Sequence, residues 1–156
     1  MDSGLWIVDR KDYRLRWYAI VPATLAGVAV AVPVLMARAP EIGFALQRGF
    51  ALVCHQRPER SFPLFGSSVA VCARCLGIYL GAAAGLLLRV PREIARRCLF
   101  AAASINAIDW LAELGGMHSN WTAARFALGI TLGVAASMLV AARSDEHEIP
   151  TQAKEA

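Results

Sequence analysis

The sequence predicts an all-α integral membrane protein: a four-helix bundle with a short interfacial helix between spans one and two. Hydrophobic residues make up 57% of the 156 residues, above the roughly 45–50% typical of soluble domains. Since about 20 apolar residues cross the ~30 Å hydrocarbon layer, we expect four transmembrane helices, the short third one with support from its neighbours. The four segments are Trp17–Met36, Ser67–Leu88, Cys98–Leu114 and Trp121–Ala142.

The first segment is predicted to be a retained helix and not a signal peptide. Its apolar core is about twice the length of a usual signal-peptide core, and no small-residue cleavage site lies between Met36 and Arg38. Pro22 and Pro33 fall near its two ends, where a missing amide donor costs least. We expect residues 1–142 to form a single transmembrane domain and residues 143–156 a polar cytoplasmic tail.

Between the first two spans, the segment Glu41–Val53 is apolar but too short to cross a bilayer, and it contains Arg48. This pattern is typical of an interfacial or re-entrant helix. Such a helix would deliver Cys54 to the outer surface.

The arginines predict the orientation of the chain. They cluster densely before the first span and between the second and third spans, whereas basic residues on the opposite side are spread thinly. By the positive-inside rule both termini are cytoplasmic, and the loop Cys54–Gly66 is external. We therefore expect a multi-pass protein whose partners are the lipid bilayer and, in one alternative, other membrane-protein subunits, with no role for nucleic acid.

Two seams of small residues predict close helix contacts. Gly77, Gly81 and Gly85 form one, and Gly129, Gly133 and Ser137 form the other. At 100° per residue, Cys72 and Cys75 lie roughly opposite the first seam. The thiols are thus expected to face the external loop that carries Cys54.

Several polar residues are expected at one level near the outer surface. Counting ~1.5 Å per residue from Ser67 places Cys72 about 7 Å inside the second helix. Asp109 and Arg125 fall at a similar depth and are predicted to form an ion pair, because an unpaired charge within a span costs at least ~2.5 kcal/mol.

Other polar groups are expected around this pair. Asn106 and Glu113 share the face of Asp109 and are candidates to complete its hydrogen bonds. Arg74 is predicted to pair with Glu59 or Asp109, or to hold an anionic or quinone-like group.

Three of the four cysteines and a histidine lie in "CHQRPERSFPLFGSSVAVCARC". Cys54, Cys72 and Cys75 with His55 would make a Cys3His set for zinc or another thiophilic metal. Because adjacent residues rarely both bind one ion, His118 in the other external loop is an alternative or additional ligand. The leading prediction is an externally facing metal-binding site of unknown biological role.

The alternatives use the same thiols differently. A CxxC at a helix start, with an arginine between the cysteines, favours thiolate and is similar to quinone-linked thiol–disulfide oxidoreductases; Cys72, Cys75, Arg74 and Cys54 would then be catalytic. That class uses a second cysteine pair, of which only Cys54 is present here. A disulfide that staples the outer loop is the third possibility. Cys98 stands apart and is predicted to be a small packing residue.

The elements "CHQRPERSF", "VCARCLGIYLG" and "AIDWLAELGGMHSNWTAARFALGITLG" resemble the prokaryotic membrane proteins grouped as domain of unknown function 2085, from about Phe44 to Gly133. The resemblance implies a bacterial or archaeal plasma (inner) membrane protein and brings no activity with it. Trp110 and Glu113 depart from the glycine and glutamine expected there. The positions that it carries over are Cys54, His55, Gln56, Pro58, Arg60, Ser61, Phe62, Cys72, Arg74, Cys75, Gly77, Tyr79, Asp109, Ser119, Asn120, Arg125 and Gly129.

Of these positions, six are singled out as a polar site beside the thiols: Gln56, Arg60, Asp109, Ser119, Asn120 and Arg125. Whether the protein is an enzyme stays open at this point. A non-enzymatic subunit or assembly factor, whose glycine seams bind a larger membrane complex, is a further alternative.

Overall fold

The computed structural model describes residues 10–117 and 121–146. The chain is mainly helical, as predicted. A short 3-10 helix at Pro58–Arg60 and a two-stranded hairpin lie between the second and third helices. The elements are α1 Arg10–Arg38, α2 Pro40–Ala51, β1 Pro63–Leu64, β2 Ser67–Ser68, α3 Ala73–Gly85, α4 Arg92–Leu114 and α5 Thr122–Glu146.

Within the described residues, two helical segments are long and apolar enough to cross a membrane, Trp17–Arg38 and Thr122–Ala142. The prediction of four spans is therefore confirmed in part. Helix α3 has 13 residues, about 20 Å at ~1.5 Å per residue, which is less than the hydrocarbon thickness. Helix α4 has 23 residues, but Asp109, Glu113 and its basic first turns make it less apolar.

The predicted second span starts too early, because residues 67–72 are not helical. Leu64 pairs with Ser67 in an antiparallel hairpin. Phe65 and Gly66 close it with φ values of 49° and 80°, a conformation that glycine adopts without strain. Cys72 is consequently the N-cap residue immediately before α3 and does not lie about 7 Å inside a helix.

The buried, non-helical stretch from Val69 to Val71 is held by hydrogen bonds to other parts of the chain. The Ala70 amide donates to the carbonyl of Ala29 in α1, at 3.2 Å. That carbonyl is available because the residue four positions later, Pro33, has no N–H to donate to it. Pro33, which lies inside α1, therefore leaves the Ala29 carbonyl free to accept from the segment that leads into α3.

The two glycine seams pack against each other, as predicted. A Cβ on Gly77 or Gly81 would overlap the α5 backbone, at Phe126 and Ile130. A Cβ on Gly129 would likewise overlap the α3 backbone, at Arg74. The α3–α5 contact thus depends on missing side chains, and it sets the position of the start of α3 relative to α5.

Helix α2 confirms the short helix expected between the first two spans, with bounds Pro40–Ala51. It packs back on α1, where Gly43 contacts Met36. After its end the Cys54 amide donates to the Phe50 carbonyl at 2.9 Å. This last bond holds Cys54 directly at the end of the helix.

Candidate metal centre

Three cysteine thiols converge where α2 ends and α3 begins. The Sγ atoms of Cys54, Cys72 and Cys75 all lie within 4.8 Å of one another. Cys54 is buried, with 5% of its surface exposed, and the other two are partly buried. All four cysteines of the chain are free thiols. The loop that carries Cys54 therefore meets the thiols of Cys72 and Cys75, as expected.

Neighbouring hydrogen-bond donors favour thiolate at Cys54. The Cys72 amide donates to Cys54 Sγ at 3.2 Å. Hydrogen bonds from the thiols of Cys72, first, and Cys75 hold the pKa of the Cys54 thiol below its usual value. No side chain caps α3, so the amides of its first turn leave positive partial charge beside the sulfur atoms.

Gln56 joins the two chain segments that carry the thiols. Its Nε2 donates to the Gln47 carbonyl at 2.7 Å and to the Ala70 carbonyl at 2.8 Å. Its own backbone is left-handed, with φ 48°, which turns the chain sharply after Cys54. The amide therefore clamps the end of α2 to the stretch before α3.

The structure places the candidate histidines differently. His55 is exposed and lines the same cavity as the cysteines, but it does not belong to the cluster of converging ligand atoms. His118, Ser119 and Asn120 lie outside the described residues.

Three arginines pair with two carboxylates of α4. Arg74 pairs with Asp109, which was one of its two predicted partners. Arg125 pairs with Glu113, which also pairs with Arg60 at 2.7 Å. Glu113 lies one helical turn beyond Asp109, and this turn brings it within reach of both arginines. Asp109 and Arg125 nonetheless line one cavity of about 220 Å³.

Asn106 does not complete the hydrogen bonds of Asp109 through its amide nitrogen. Its Nδ2 donates to the Ala102 carbonyl at 2.9 Å and to the Leu128 carbonyl at 3.0 Å. The second bond crosses from α4 to α5. Asn106 is 7% exposed, so this hydrogen bond joins α4 and α5 within their buried contact.

The Arg-Ser-Phe element ties the outer loop to the helices. Arg60 reaches Glu113 of α4, and Ser61 donates to the Arg57 carbonyl at 3.1 Å. Phe62 packs edge-on against Phe126 of α5, with ring centroids 5.4 Å apart. Sequence reasoning missed Glu113 as a partner of two arginines, although its spacing from Asp109 already placed it on the right face.

Cys98 lies far from the cluster in sequence and is exposed in the first half of α4. The prediction of a packing residue is wrong for this chain, because α4 turns Ala95, Ala102 and Asn106 inward instead. The three clustered cysteines are therefore the candidate ligands.

Comparisons with known proteins find two archaeal relatives and one family. An uncharacterized protein of Methanocaldococcus jannaschii is 33% identical over 102 residues, 59% of this chain and 64% of that protein. One of Methanothermobacter thermautotrophicus is 32% identical over 95 residues, 58% of this chain and 86% of that protein. The chain thus spans less than two thirds of the first relative's length.

No solved structure matches the chain. The family described as predicted membrane protein, domain of unknown function 2085, matches residues 54–139, more than half of the chain and all of the thiol cluster. The chain belongs to this family of predicted membrane proteins.

Proposed function

We propose that this protein holds zinc or another thiophilic metal at the external face of a membrane, through Cys54, Cys72 and Cys75. The observation that carries the proposal is the approach of the three Sγ atoms to within 4.8 Å of one another. Tetrahedral zinc with Zn–S bonds of ~2.3 Å needs sulfur atoms about 3.8 Å apart, so a small contraction completes the geometry. Thiolate ligands select zinc and other soft metals over magnesium or calcium.

The fourth ligand decides what kind of site this is. His55 is exposed and lines the adjoining cavity, so a side-chain rotation is its route to the metal. His118 is the alternative from the third loop. A histidine in the fourth position makes a closed structural site, whereas an open fourth position leaves the metal accessible to a ligand from the cavity.

The chain's own residues would offset the charge of the ligands. Three thiolates bring three negative charges, and the metal brings two positive ones. The Cys72 amide, the uncapped start of α3 and Arg74 add positive potential beside the sulfur atoms. Gln56 holds the loop in place, so that the ligands need not be ordered by the metal alone.

Elemental analysis combined with thiol counting on the detergent-purified protein tests this proposal. We expect about one metal ion per chain, and three thiols that react only after denaturation with a chelator. Cys72→Ser should lose the metal, and Cys98→Ser, the matched control, should keep it. Protein without stoichiometric metal and with its clustered thiols oxidised would exclude the proposal.

Thiol–disulfide chemistry with a quinone is the second candidate, favoured by the lowered pKa of the Cys54 thiol among two other thiols. Two thiols would lose two protons and two electrons to form a disulfide, and a quinone would take up both to become a hydroquinone. This candidate predicts that Cys72→Ser abolishes oxidation of a partner thiol while the protein stays folded. Unchanged oxidation would contradict it.

The membrane arrangement that we propose is a four-helix bundle with α1, α3, α4 and α5 as its helices and both termini cytoplasmic. The non-helical stretch from Val69 to Val71 would add to the length of the short α3 across the membrane. This stretch is buried within the protein, as non-helical backbone at membrane depth must be.

The exposed Cys98 provides a test of this orientation. A membrane-impermeant maleimide should label it only after the cells are permeabilised, and Cys98→Ser should abolish that labelling. Labelling of Cys98 in intact cells would reverse the orientation.

A further inference from the structure

A cavity of about 330 Å³ adjoins the three thiols. This volume lies at the lower end of the roughly 300–1,000 Å³ found for small-molecule sites. It is larger than one coordinated metal ion requires, since a water molecule occupies about 30 Å³ in the liquid. The cavity therefore has room for a small ligand besides a metal.

The charge of the cavity wall selects the class of ligand. Among the described residues that line it, beside the three cysteines, there is no carboxylate, and there are four arginines: Arg57, Arg60, Arg74 and Arg125. Asp109 and Glu113, which pair with three of these arginines, are not among the lining residues. Guanidinium groups present several N–H donors in a planar fork that matches phosphate and carboxylate oxygens.

The most buried of these arginines retains donor capacity. Arg125 is 5% exposed, and its Nε has no hydrogen-bond partner among the described residues. The Nε of Arg74 likewise is buried and has no hydrogen-bond partner among the described residues. Buried N–H groups without an acceptor are rare in native proteins, and an oxyanion or the water that accompanies it would supply one.

The start of α3 adds a second source of positive potential at the same place. This helix has 13 residues and no side-chain cap, and its first residues border the cavity through Cys72, Arg74 and Cys75. The free amides of a first helical turn attract anions. The start of α3 and the arginines thus both contribute positive potential to the same cavity.

From these observations we propose that the cavity binds a phosphate group, free or as part of a lipid headgroup, between the arginines and the start of α3. Free phosphate carries a charge of about −1.5 near neutral pH with at least three strong acceptor oxygens, and a lipid phosphodiester carries one negative charge over two such oxygens. Either group can accept from the planar fork of a guanidinium. The binding does not require the metal, although the phosphate would lie beside it.

Calorimetric titration of the full-length protein in a neutral detergent tests the proposal, with inorganic phosphate in one arm and soluble dihexanoyl phosphatidylglycerol in the other. We expect saturable binding of at least one of the two, and the tighter ligand identifies the source of the phosphate group. Titrating the protein as purified and after chelator treatment separates this result from the metal proposal, because phosphate should bind in both preparations.

Two matched variants locate the site. Arg57→Gln removes an exposed guanidinium from the cavity wall without touching a buried ion pair, and should weaken binding about tenfold. Arg48→Gln removes the same charge from the exposed end of α2, outside the cavity lining, and should leave the affinity unchanged. Absence of saturable binding in both arms, or an equal loss in the two variants, would overturn the proposal.

Discussion

Replacing Gln56 by alanine tests whether one side chain holds the thiol site together. The substitution removes the Nε2 group that donates to the carbonyls of Gln47 and Ala70, at 2.7 and 2.8 Å. Among the described residues, no other side chain donates to these two carbonyls. The end of α2 and the stretch before α3 would then lose two of the hydrogen bonds that join them.

The expected cost follows from these two bonds. Each contributes about 1 kcal/mol net, and leaving the carbonyl of the fully buried Ala70 without a partner adds roughly 1 kcal/mol or more. The free energy of unfolding should therefore fall by about 3 kcal/mol. At about 2–4 °C per kcal/mol for a chain of this size, the midpoint of thermal unfolding should fall by about 6–12 °C.

The site should also bind metal less tightly. Cys54 lies two residues before Gln56, and Cys72 two residues after Ala70, so both arms of the cluster lose their support. Loss of such an outer partner typically costs about 10–100-fold in metal affinity. Competition with a chromophoric zinc chelator measures this change, alongside thermal unfolding followed by circular dichroism in detergent.

Gln47→Ala is the matched control, because it removes the same side-chain amide from α2 while the Gln47 carbonyl still accepts from Gln56. We expect its unfolding midpoint and zinc affinity to stay near those of the unmodified protein. If Gln56→Ala behaves like this control in both measurements, the clamp does not position the thiols and the reasoning fails.

Three further predictions address helix packing, the ion pairs and the ligand set. Gly81→Ala should lower the stability by about 1–3 kcal/mol, since its Cβ would overlap the α5 backbone. Gly27→Ala has open space and should be neutral or stabilising by about 0.5–1 kcal/mol. Equal thermal shifts of the two variants would contradict the packing of the two glycine seams against each other. Glu113→Gln deprives a buried arginine of its carboxylate and should lower the unfolding midpoint by more than Glu93→Gln, whose exposed pairs contribute about 0.5 kcal/mol or less; the reverse order would refute this. Cys98→Ser should keep full zinc stoichiometry, whereas serine at any clustered cysteine should lower it, as measured by elemental analysis; metal loss in Cys98→Ser would place a ligand outside the cluster.

The long apolar helices were predictable because hydropathy is a property of local sequence. Trp17–Met36 and Trp121–Ala142 correspond to the helical segments Trp17–Arg38 and Thr122–Ala142, and α4 has the predicted end at Leu114. The start of the third helix was not predictable in this way. Apolar residues of a buried, non-helical stretch have the same hydropathy as residues of a helix. Hydropathy therefore predicts a helix start at Ser67, whereas the helix begins at Ala73.

The meeting of the thiols was predictable from helical periodicity. Periodicity predicts that Cys72 and Cys75 face away from the glycine seam and toward the loop with Cys54, and the three Sγ atoms lie within 4.8 Å of one another. The ion-pair partners were not, because they depend on how far α4 is shifted along α5. Asp109 and Glu113 lie on one face, and the sequence contains no information on which of them stands beside Arg125.

The sequence by itself determined that this is an apolar, helical chain with a cysteine-rich loop, because composition and periodicity are written in neighbouring residues. The tertiary structure decided where the loop lies. Two key contacts depend on groups that glycine and proline lack. Because the glycines have no side chains, α3 and α5 can approach closely. Because Pro33 has no N–H, the Ala29 carbonyl is free to accept from the Ala70 amide. These contacts, with the Gln56 clamp, bring Cys54 to the start of α3.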